Sequence, residues 1–393
     1  MSKIWDLIKN EKVEWKTIGE VCVIRKGEYI TKKHASEFGE FPVVSGGINP
    51  SYYHNKYNRD INTITIGASG INAGYVNFWD TKIFLSDAYS LEPKDNIVNK
   101  YLYHFLLSKQ EDIFAMRKGA GIPHIYPADF SMIKIPIPSI TTQNKIVKIL
   151  DKFNIYVKEL ERELERRNKQ YQYYNELCFN DDLLKFLSNK YGTESIVENK
   201  ALNQLGVFIR GNNLTKKEIR NSGRPVVRYG ELHTKYKFET DFTYSFTNND
   251  LFKKLKKAIK NDLMIVLTSE DNDGVCKTCI WSGDYEIGIS SDMCIFRGDV
   301  NPYFLNHFFS TERFLKQKER YLSGTNIIRI STDNLGKIDI PLPSIDIQNL
   351  VSEKLNKLYK ISNSIYEGLP KEIKLRKLQY EYYRNKLLDF PKN

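Results

Sequence analysis

The run Ile135–Ile140 reads Ile-Pro-Ile-Pro-Ser-Ile, and the run Ile340–Ile345, 205 positions later, reads Ile-Pro-Leu-Pro-Ser-Ile. Gln143–Asn144 follows the first run, and Gln348–Asn349 follows the second at the same interval. Prolines that alternate with apolar residues are typical of the end of a strand, because proline cannot donate a sheet hydrogen bond. The serine that follows is a common first cap of a helix. The sequence therefore predicts a strand-to-helix junction that occurs twice.

Further matches follow in the same order along the two halves. Lys16–Lys33 aligns without gaps on Lys200–Lys217. The other matched pairs are Pro42–Val44 with Pro225–Val227, Ser86–Asp87 with Ser291–Asp292, Asn99–Tyr101 with Asn301–Tyr303, and Gln170–Tyr174 with Gln379–Tyr383. So many matches in one order indicate an internal duplication. Each copy is predicted to be a mixed globular domain of about 140 residues followed by a helix.

A long helix is predicted after each junction, because apolar residues recur there at alternating spacings of four and three, with Lys, Arg and Glu between them. This is the pattern of a coiled-coil seam. We predict helix-pair or partner contacts for Ile146, Leu150, Phe153, Val157, Leu160, Leu164, Tyr171, Tyr174, Ile347, Val351, Leu358, Ile365, Leu378 and Tyr382. The run Gly368–Pro370 interrupts the second seam, so we expect a kink or break there.

Short strands and glycine-marked turns are predicted within the globular parts. The Pro-Val-Val runs, 62–67, 263–268 and 287–291 have the composition of strands, whereas 99–108 and 301–311 have that of short helices. The predicted organisation is a first globular domain over 1–140, a first spacer helix over 141–190, a second globular domain over 191–343 and a second spacer helix over 344–393. The fold class is α+β.

Length and composition restrict the class of protein. The 393 residues exceed the roughly 100–200 of one typical domain, and 41% hydrophobic with 27% charged residues is an ordinary globular composition. Apolar runs are far shorter than the ~20 residues of a membrane helix, the start lacks a secretory signal, and five scattered cysteines make no disulfide framework. We therefore expect a cytoplasmic protein without a membrane partner. The net charge of +11 favours a polyanionic partner.

The motifs of catalysis and metal binding are incomplete. Asn49–Tyr52 lacks the second proline of the adenine-methyltransferase element, and no glycine-rich cofactor loop accompanies it. Cys276 and Cys279 form half of a zinc pattern, and Asp271–Gly274 forms part of a calcium loop without its closing glutamate. A phosphate-binding P-loop is absent from the sequence. We therefore predict no catalytic residue, no metal site and no cofactor in this chain.

Basic residues beside glycines occupy the same place in both copies. Arg25–Lys33 matches Arg210–Lys217, and the small-residue loop Lys118–His124 stands at the same stage as Ser323–Arg329. Lysines neutralise phosphates, and Asn and Arg can bind base edges; solvated surface lysines and ordinary tight turns are the alternatives. We predict contacts with nucleic acid for Lys26, Tyr29, Thr31, Lys32, Lys33, Lys118, His124, Arg210, Asn212, Asn213, Lys216, Lys217, Arg224, Arg228, Thr325, Asn326 and Arg329.

Taken over essentially the whole chain, these features resemble the specificity (S) subunit of type I restriction–modification systems. The resemblance rests on Glu14–Val21 at the entry, on the two Ile-Pro-x-Pro runs with their glutamines, and on Gln-Tyr-x-Tyr-Tyr at the end of both helices. It implies two pseudo-symmetric target-recognition domains separated by two long antiparallel coiled-coil helices. It also implies that each domain reads one half of a bipartite, gapped target in double-stranded DNA.

The same resemblance implies the partners. The helices would dock two modification subunits, which carry S-adenosylmethionine and methylate adenine, and restriction subunits are a further set of partners. A helix of about 35 residues is roughly 50 Å long, or at most about 15 base pairs of duplex, so helix length would set the gap between half-sites. Two other interpretations remain: a coiled-coil scaffold that joins proteins without DNA specificity, and a self-sufficient DNA methyltransferase.

Overall fold

A computed structural model describes residues 8–9, 11–30, 39–50, 52–191, 197–364 and 368–391. The chain divides into two compact units. Unit 1 comprises Met1–Glu161 and Glu372–Asn393, and unit 2 comprises Arg162–Lys371. Each unit therefore contains one globular domain together with helical segments from both copies of the repeat. No helix in the described ranges is long and apolar enough to span a membrane.

The globular domain of unit 1 is built from small sheets and short helices. Its strands are β1 (Glu14–Thr17), β2 (Cys22–Lys26), β3 (Phe41–Val44), β4 (Tyr52–His54), β5 (Thr63–Gly67), β6 (Val76–Trp79), β7 (Phe84–Leu85), β8 (Ala88–Pro93) and β9 (Lys134–Ile137). Its helices are α1 (Ile18–Val21), α2 (Asn99–Ser108), α3 (Gln110–Ala115) and α4 (Pro127–Phe130). The strands pair in the orders β2-β8-β5-β6, β4-β3-β7 and β1-β9.

The first helical region contains two helices, α5 (Ile140–Cys178) and α6 (Asp181–Lys190). The strands of unit 2 are β10 (Glu198–Ala201), β11 (Gly206–Arg210), β12 (Arg224–Val227), β13 (Glu239–Thr240), β14 (Ser245–Thr247), β15 (Lys257–Ala258), β16 (Leu263–Val266), β17 (Thr268–Ser269), β18 (Thr278–Trp281), β19 (Ile287–Ile289), β20 (Met293–Gly298), β21 (Ile328–Arg329) and β22 (Asp339–Leu342). Its helices are α7 (Leu202–Leu205), α8 (Tyr229–Thr234), α9 (Asn249–Lys254), α10 (Pro302–Phe308), α11 (Glu312–Glu319) and α12 (Thr332–Leu335). The second helical region contains α13 (Ile345–Asn363) and α14 (Leu369–Leu387).

The sheets confirm the predicted duplication. In unit 2 the strands pair as β11-β20-β16-β18-β13, β14-β12-β19-β15, β10-β22 and β17-β21. Strands β11, β20, β16 and β18 repeat the order of β2, β8, β5 and β6, and β14-β12-β19 repeats β4-β3-β7. The central strands β5 and β16 are buried along most of their length. In β16 every residue of Leu-Met-Ile-Val is buried, whereas β5 alternates Thr and Ile and buries Thr65 together with Ile64 and Ile66.

The repeated glutamine ties each globular domain to its helix. In unit 1, Gln143 donates to the carbonyl of Pro138 (2.9 Å) and accepts from the amide of Val98 (2.8 Å). In unit 2, Gln348 makes the same pair of bonds with Pro343 and Asn301, both at 2.9 Å. A buried amide side chain that is fully paired fixes the angle at which the helix leaves the domain.

Ser344 occupies the predicted N-cap position of α13, but its side chain makes no capping hydrogen bond. Ser139 accepts a 3.3 Å bond from the amide of Thr142, but the hydroxyl of Ser344 is buried without a hydrogen bond. The expected interruption of the second helix is confirmed, because α13 ends at Asn363 and α14 begins at Leu369. Gly368 has φ +84°, and a Cβ there would lie 2.6 Å from the carbonyl oxygen of Lys360, so only glycine fits.

Two helical segments lie side by side in unit 1. The ring of Phe153 in α5 stacks on Tyr383 of α14 at 5.3 Å, and the hydroxyl of Tyr156 donates to Glu372 at 3.1 Å. As residue numbers rise along α5 they fall along α14, so the segments are antiparallel. The start of the first helix and the end of the second therefore pack together against the first globular domain.

A buried tyrosine–histidine pair joins the globular domain to a helix of the other copy in each unit. In unit 2, the hydroxyl of Tyr171 lies 2.9 Å from Nδ1 of His307, whose Nε2 lies 2.9 Å from Oδ1 of Asn356. Burial lowers the pKa of His307 to about 4, so the ring is neutral and accepts from the tyrosine. The repeat predicted none of this pairing, because sequence alignment compares copies and does not show which segments meet.

Unit 1 contains the matching arrangement. The hydroxyl of Tyr380 lies 2.9 Å from Nδ1 of His104, and Nε2 of His104 lies 3.0 Å from Asp151, which also pairs with Lys100 at 2.6 Å. Burial opposes ionisation of Asp151, but hydrogen bonds from His104 and Lys100 outweigh it and hold the pKa of the carboxyl below its ordinary value. The Nε2 atom of the histidine therefore binds a carboxylate in unit 1 and a side-chain amide in unit 2.

Burial of the predicted seam residues is uneven. Ile146, Leu150, Val157, Tyr171, Ile347 and Val351 are buried, and Phe153, Leu160, Leu164 and Leu358 are half-buried. Three residues do not pack between helices, since the side chains of Tyr174, Leu378 and Tyr382 are exposed. In α14 the buried positions are Ile373, Tyr380 and Leu387, which keep a spacing of seven. Ile365 lies outside the described residues.

Candidate nucleic-acid interface

Loops from several strands meet at the same edge of each globular domain. In unit 1, the amide of Gly27 donates to the carbonyl of Ala88 (2.9 Å), and in unit 2 the amide of Gly211 donates to that of Met293 (3.0 Å). A Cβ on Gly27 would lie 2.1 Å from the carbonyl oxygen of Ser86. A Cβ on Gly211 would lie 2.0 Å from that of Ser290. The repeated glycine therefore serves a close approach within the chain itself.

The small-residue loops form the same hairpin in both units. Lys118 and His124 exchange two backbone hydrogen bonds of 2.8 Å, and Ser323 and Arg329 exchange bonds of 2.9 and 2.8 Å. Each hairpin then pairs with the loop after the central strand of its domain, through a bridge between Ser69 and His124 in unit 1 and through β17 and β21 in unit 2. The sequence alignment of the two loops is thus confirmed in three dimensions.

The aspartate turn completes the cluster. The amide of Ala68 donates to the carbonyl of Asp87 (3.1 Å), and the amide of Leu267 donates to that of Asp292 (3.0 Å). The hydroxyl of Ser69 also donates to the carboxylate of Asp87. The glycine segment, the aspartate turn, the loop after the central strand and the hairpin together form what we call the loop cluster of each unit.

In unit 1 the loop cluster presents cationic and aromatic side chains. Lys26, Tyr29 and Lys118 are exposed, and His124 is half-buried with its ring stacked on Tyr126 at 6.5 Å. Lys118 pairs with Asp129 and, by this hydrogen bond, holds the pKa of the carboxyl below its ordinary value. Lys118 is therefore a positioned cation. Thr31, Lys32 and Lys33 lie outside the described residues.

In unit 2 the loop cluster is more polar. Arg210, Asn212, Asn213, Lys216, Lys217, Thr325, Asn326 and Arg329 are all exposed, and Arg228 is half-buried. The guanidinium of Arg210 donates to the carbonyl of Ser291 (3.1 Å), and the side chain of Asn212 accepts from the amide of Lys256 (2.9 Å). Lys216 and Lys217 belong to a short 3₁₀ turn that the Thr215–Glu218 hydrogen bonds of 2.6 and 2.7 Å hold in place.

Arg224 lies apart from this cluster. It begins strand β12, whereas Arg228 follows the other end of the same strand. Its guanidinium lies 4.3 Å from the ring centroid of Phe252 and 3.5 Å from the carboxylate of Glu286. The neighbours of Arg228 in the chain bind Ser290, next to the aspartate turn, through the carbonyl of Val227 (3.2 Å) and the amide of Tyr229 (2.9 Å), whereas Arg224 is engaged elsewhere.

Sequence reasoning missed Tyr229 and His233 of α8. The amide of Tyr229 donates to the hydroxyl of Ser290 (2.9 Å), and Nε2 of His233 lies 3.4 Å from the carbonyl oxygen of Thr268. The side chain of His233 and the backbone of Tyr229 therefore lie against the loop cluster of unit 2. In the alignment of the two copies Tyr229 matches Gly46. A glycine gives no sign that the other copy forms a helix at this position, so the alignment did not reveal α8.

The cysteines of the incomplete zinc pattern are buried free thiols. Burial raises the pKa of Cys276 to about 12 and also raises that of Cys279. A thiol that resists ionisation is a poor nucleophile and a poor metal ligand. In the ranges that the structure describes, no group of three or more His, Cys, Asp or Glu side chains is placed to hold a metal ion.

Comparison with known proteins gives the family. The family model of the type I restriction modification DNA specificity domain matches twice, over residues 10–167 and 194–375. The chain belongs to this family. As a type I specificity subunit, it has DNA target recognition as its role.

Individual relatives agree with this assignment. The chain is 27% identical to the EcoR124I/EcoR124II specificity subunit of Escherichia coli, over 100% of this chain and 98% of that protein. It is 25% identical to the MjaVIII specificity subunit of Methanocaldococcus jannaschii, over 76% of this chain and 72% of that protein. Its fold is similar to that of the S subunit from M. genitalium, with a TM-score of 0.60 at 19% identity over 98% of this chain and 97% of that one.

Proposed function

We propose that each loop cluster reads one half of a bipartite, gapped DNA target, and that this chain carries out no chemistry itself. The observation that supports the proposal most directly is the repetition of the whole loop cluster, with the same backbone hydrogen bonds, in two domains with different exposed side chains. A shared scaffold with different surfaces suits two domains that do the same work on different sequences. The exposed lysines and arginines would hold phosphates, and neighbouring side chains would reach base edges.

Docking of two modification subunits, with restriction subunits as further partners, completes the proposal. The exposed seam residues Leu378 and Tyr382 of α14 fit such a contact in unit 1, and Tyr174 of α5 fits one in unit 2, because exposed aromatic and aliphatic side chains mark protein interfaces. S-adenosylmethionine and the adenine-methylating groups would belong to the modification subunits. This role implies a cytoplasmic location.

The deciding experiment is co-expression of this chain with its modification subunit in a host without DNA methylation, followed by genome-wide mapping of methylated adenine. We expect a gapped, two-part motif that disappears when this chain is omitted. A motif that persists without this chain, or one without a gap, would contradict the proposal.

The scaffold interpretation makes a different prediction. A scaffold without DNA specificity would bind no duplex in a salt-dependent manner, whereas phosphate contacts make log K fall linearly with log salt. Titration of the purified complex with target duplex at several salt concentrations separates the two. A self-sufficient methyltransferase would methylate DNA without any modification subunit, which the same co-expression tests.

A further inference from the structure

Each hairpin of the loop clusters carries an exposed isoleucine at the same position. Ile122 is 63% exposed and Ile327 is 49% exposed. They lie 205 positions apart, which is the offset of the repeated strand-to-helix junction. Each precedes by two residues the basic side chain that closes its hairpin, His124 or Arg329.

The two hairpins share little else. Lys118–His124 reads Lys-Gly-Ala-Gly-Ile-Pro-His, and Ser323–Arg329 reads Ser-Gly-Thr-Asn-Ile-Ile-Arg, so only the glycine and the isoleucine coincide. The backbone explains the glycine, since Gly119 and Gly324 have φ of +101° and +98°. Core packing does not explain the isoleucine, because an exposed side chain gains little from the fold.

The surroundings indicate what this side chain contacts. Each hairpin that carries the isoleucine also carries an exposed cation, Lys118 in unit 1 and Arg329 in unit 2, and His124 adds an imidazole in unit 1. Ile122 and Ile327 lie in the bends at the tips of their hairpins, two positions before the basic residue that closes each hairpin, so a partner that meets the tip lies within reach of both side chains. In the major groove of duplex DNA the apolar group on a base edge is the C5 methyl of thymine, beside acceptors that a cation can bind.

We propose that Ile122 and Ile327 each read a thymine, one in each half-site, by packing against its C5 methyl group. This inference rests on the proposed function and names the base that the same site takes. In unit 1, Ile71 also lies beside the hairpin, because the amide of the preceding Gly70 donates to the carbonyl of Pro123 (2.9 Å). The matching residue in unit 2 is Glu270. The apolar surface is accordingly larger in domain 1.

The test removes one methyl group at a time from the DNA. The complex with modification subunits is bound to duplexes of the mapped target in which each thymine is replaced in turn by deoxyuridine. For the wild-type complex we expect one position in each half-site where the replacement weakens binding about fourfold, the value of one buried methyl-sized group. With Ile122→Ala this loss should vanish in one half-site and persist in the other, and Ile327→Ala should show the reverse.

Matched controls exist in the same domains. Ile61 and Ile259 are 55% and 44% exposed, and they precede the central strands β5 and β16 at the ends away from the loop clusters. Ile61→Ala and Ile259→Ala should keep both losses.

Several outcomes would overturn the inference. These are a uracil loss that survives in the hairpin variants, no uracil loss in the wild type, and a variant that weakens thymine and uracil duplexes equally, as a wedge between base pairs would. Failure of the proposed function would be recognised separately, because the wild-type complex would then not prefer its target over unrelated duplex.

Discussion

The buried tyrosine–histidine pair of unit 2 permits a quantitative test of how α5 is attached to the second globular domain. Tyr171→Phe removes one hydroxyl and leaves Nδ1 of His307 without its donor in a site where the histidine is fully buried. An unsatisfied buried acceptor costs about 1–3 kcal/mol. We therefore expect local opening of this region to become roughly 5- to 150-fold more frequent, with little change in the shape of the core.

Native-state hydrogen exchange read by mass spectrometry measures this opening in peptides of α5 and α10, while peptides of unit 1 serve as an internal reference. Tyr173→Phe is the matched control, because Tyr173 is 65% exposed and its loss should change stability by less than about 0.5 kcal/mol. The reasoning would be refuted if exchange in Tyr171→Phe rose no more than in Tyr173→Phe. Tyr380→Phe should have the same effect in unit 1, with Tyr382→Phe as its control.

Three further predictions concern packing, acid stability and spacing. Gly27→Ala should destabilise unit 1 by about 1–3 kcal/mol in thermal unfolding, because the new Cβ would overlap the carbonyl of Ser86. Gly121→Ala is the control and should leave stability unchanged, since open space surrounds Gly121. Equal stability of the two variants would contradict this reasoning. The lowered pKa of His307 contributes stability that is fully present above pH 6.5 and falls by about 3 kcal/mol as the pH approaches 4, since only the unfolded histidine binds a proton in that range; urea unfolding should show this loss, and His307→Gln should reduce the pH slope without abolishing it, because burial also lowers the pKa of His104. One extra helical turn in both spacer helices should widen the gap of the methylated motif by one or two base pairs without changing either half-site, and an unchanged gap would refute the role of helix length.

The architecture could be predicted because the two copies still share residues at positions where the backbone permits few residue types. Pro136, Pro341 and the paired Gln143 and Gln348 fix the strand-to-helix junctions. Gly27 and Gly211 serve the same purpose in both copies, a close approach of the backbone to the chain's own carbonyl groups and not to a ligand. Positions where only a glycine or a proline fits can be recognised from the sequence, and in this chain such glycines mark the segments that form the loop clusters.

The helix seam was less predictable, because apolar residues occupy more than one face of the helices. In α14, Leu378 and Tyr382 continue an apolar spacing but are exposed, whereas Ile373 and Tyr380 are buried. A seam on a helix with 3.6 residues per turn can be drawn along either row when both are apolar. Which row faces the core depends on the shape of the domain that receives it. The sequence pattern does not contain that shape.

The exchange of helix ends between the copies explains why the closing motif repeats at all. Tyr171 belongs to the first copy but pairs with His307 of the second, and Tyr380 belongs to the second copy but pairs with His104 of the first. Each tyrosine is therefore required by a histidine that lies in the other repeat. A substitution in either helix end should loosen the domain of the opposite copy, so neither repeat can diverge freely at these positions. The loop clusters take no part in these tyrosine–histidine bonds, so a change in their exposed side chains leaves this attachment of each domain to its helices intact.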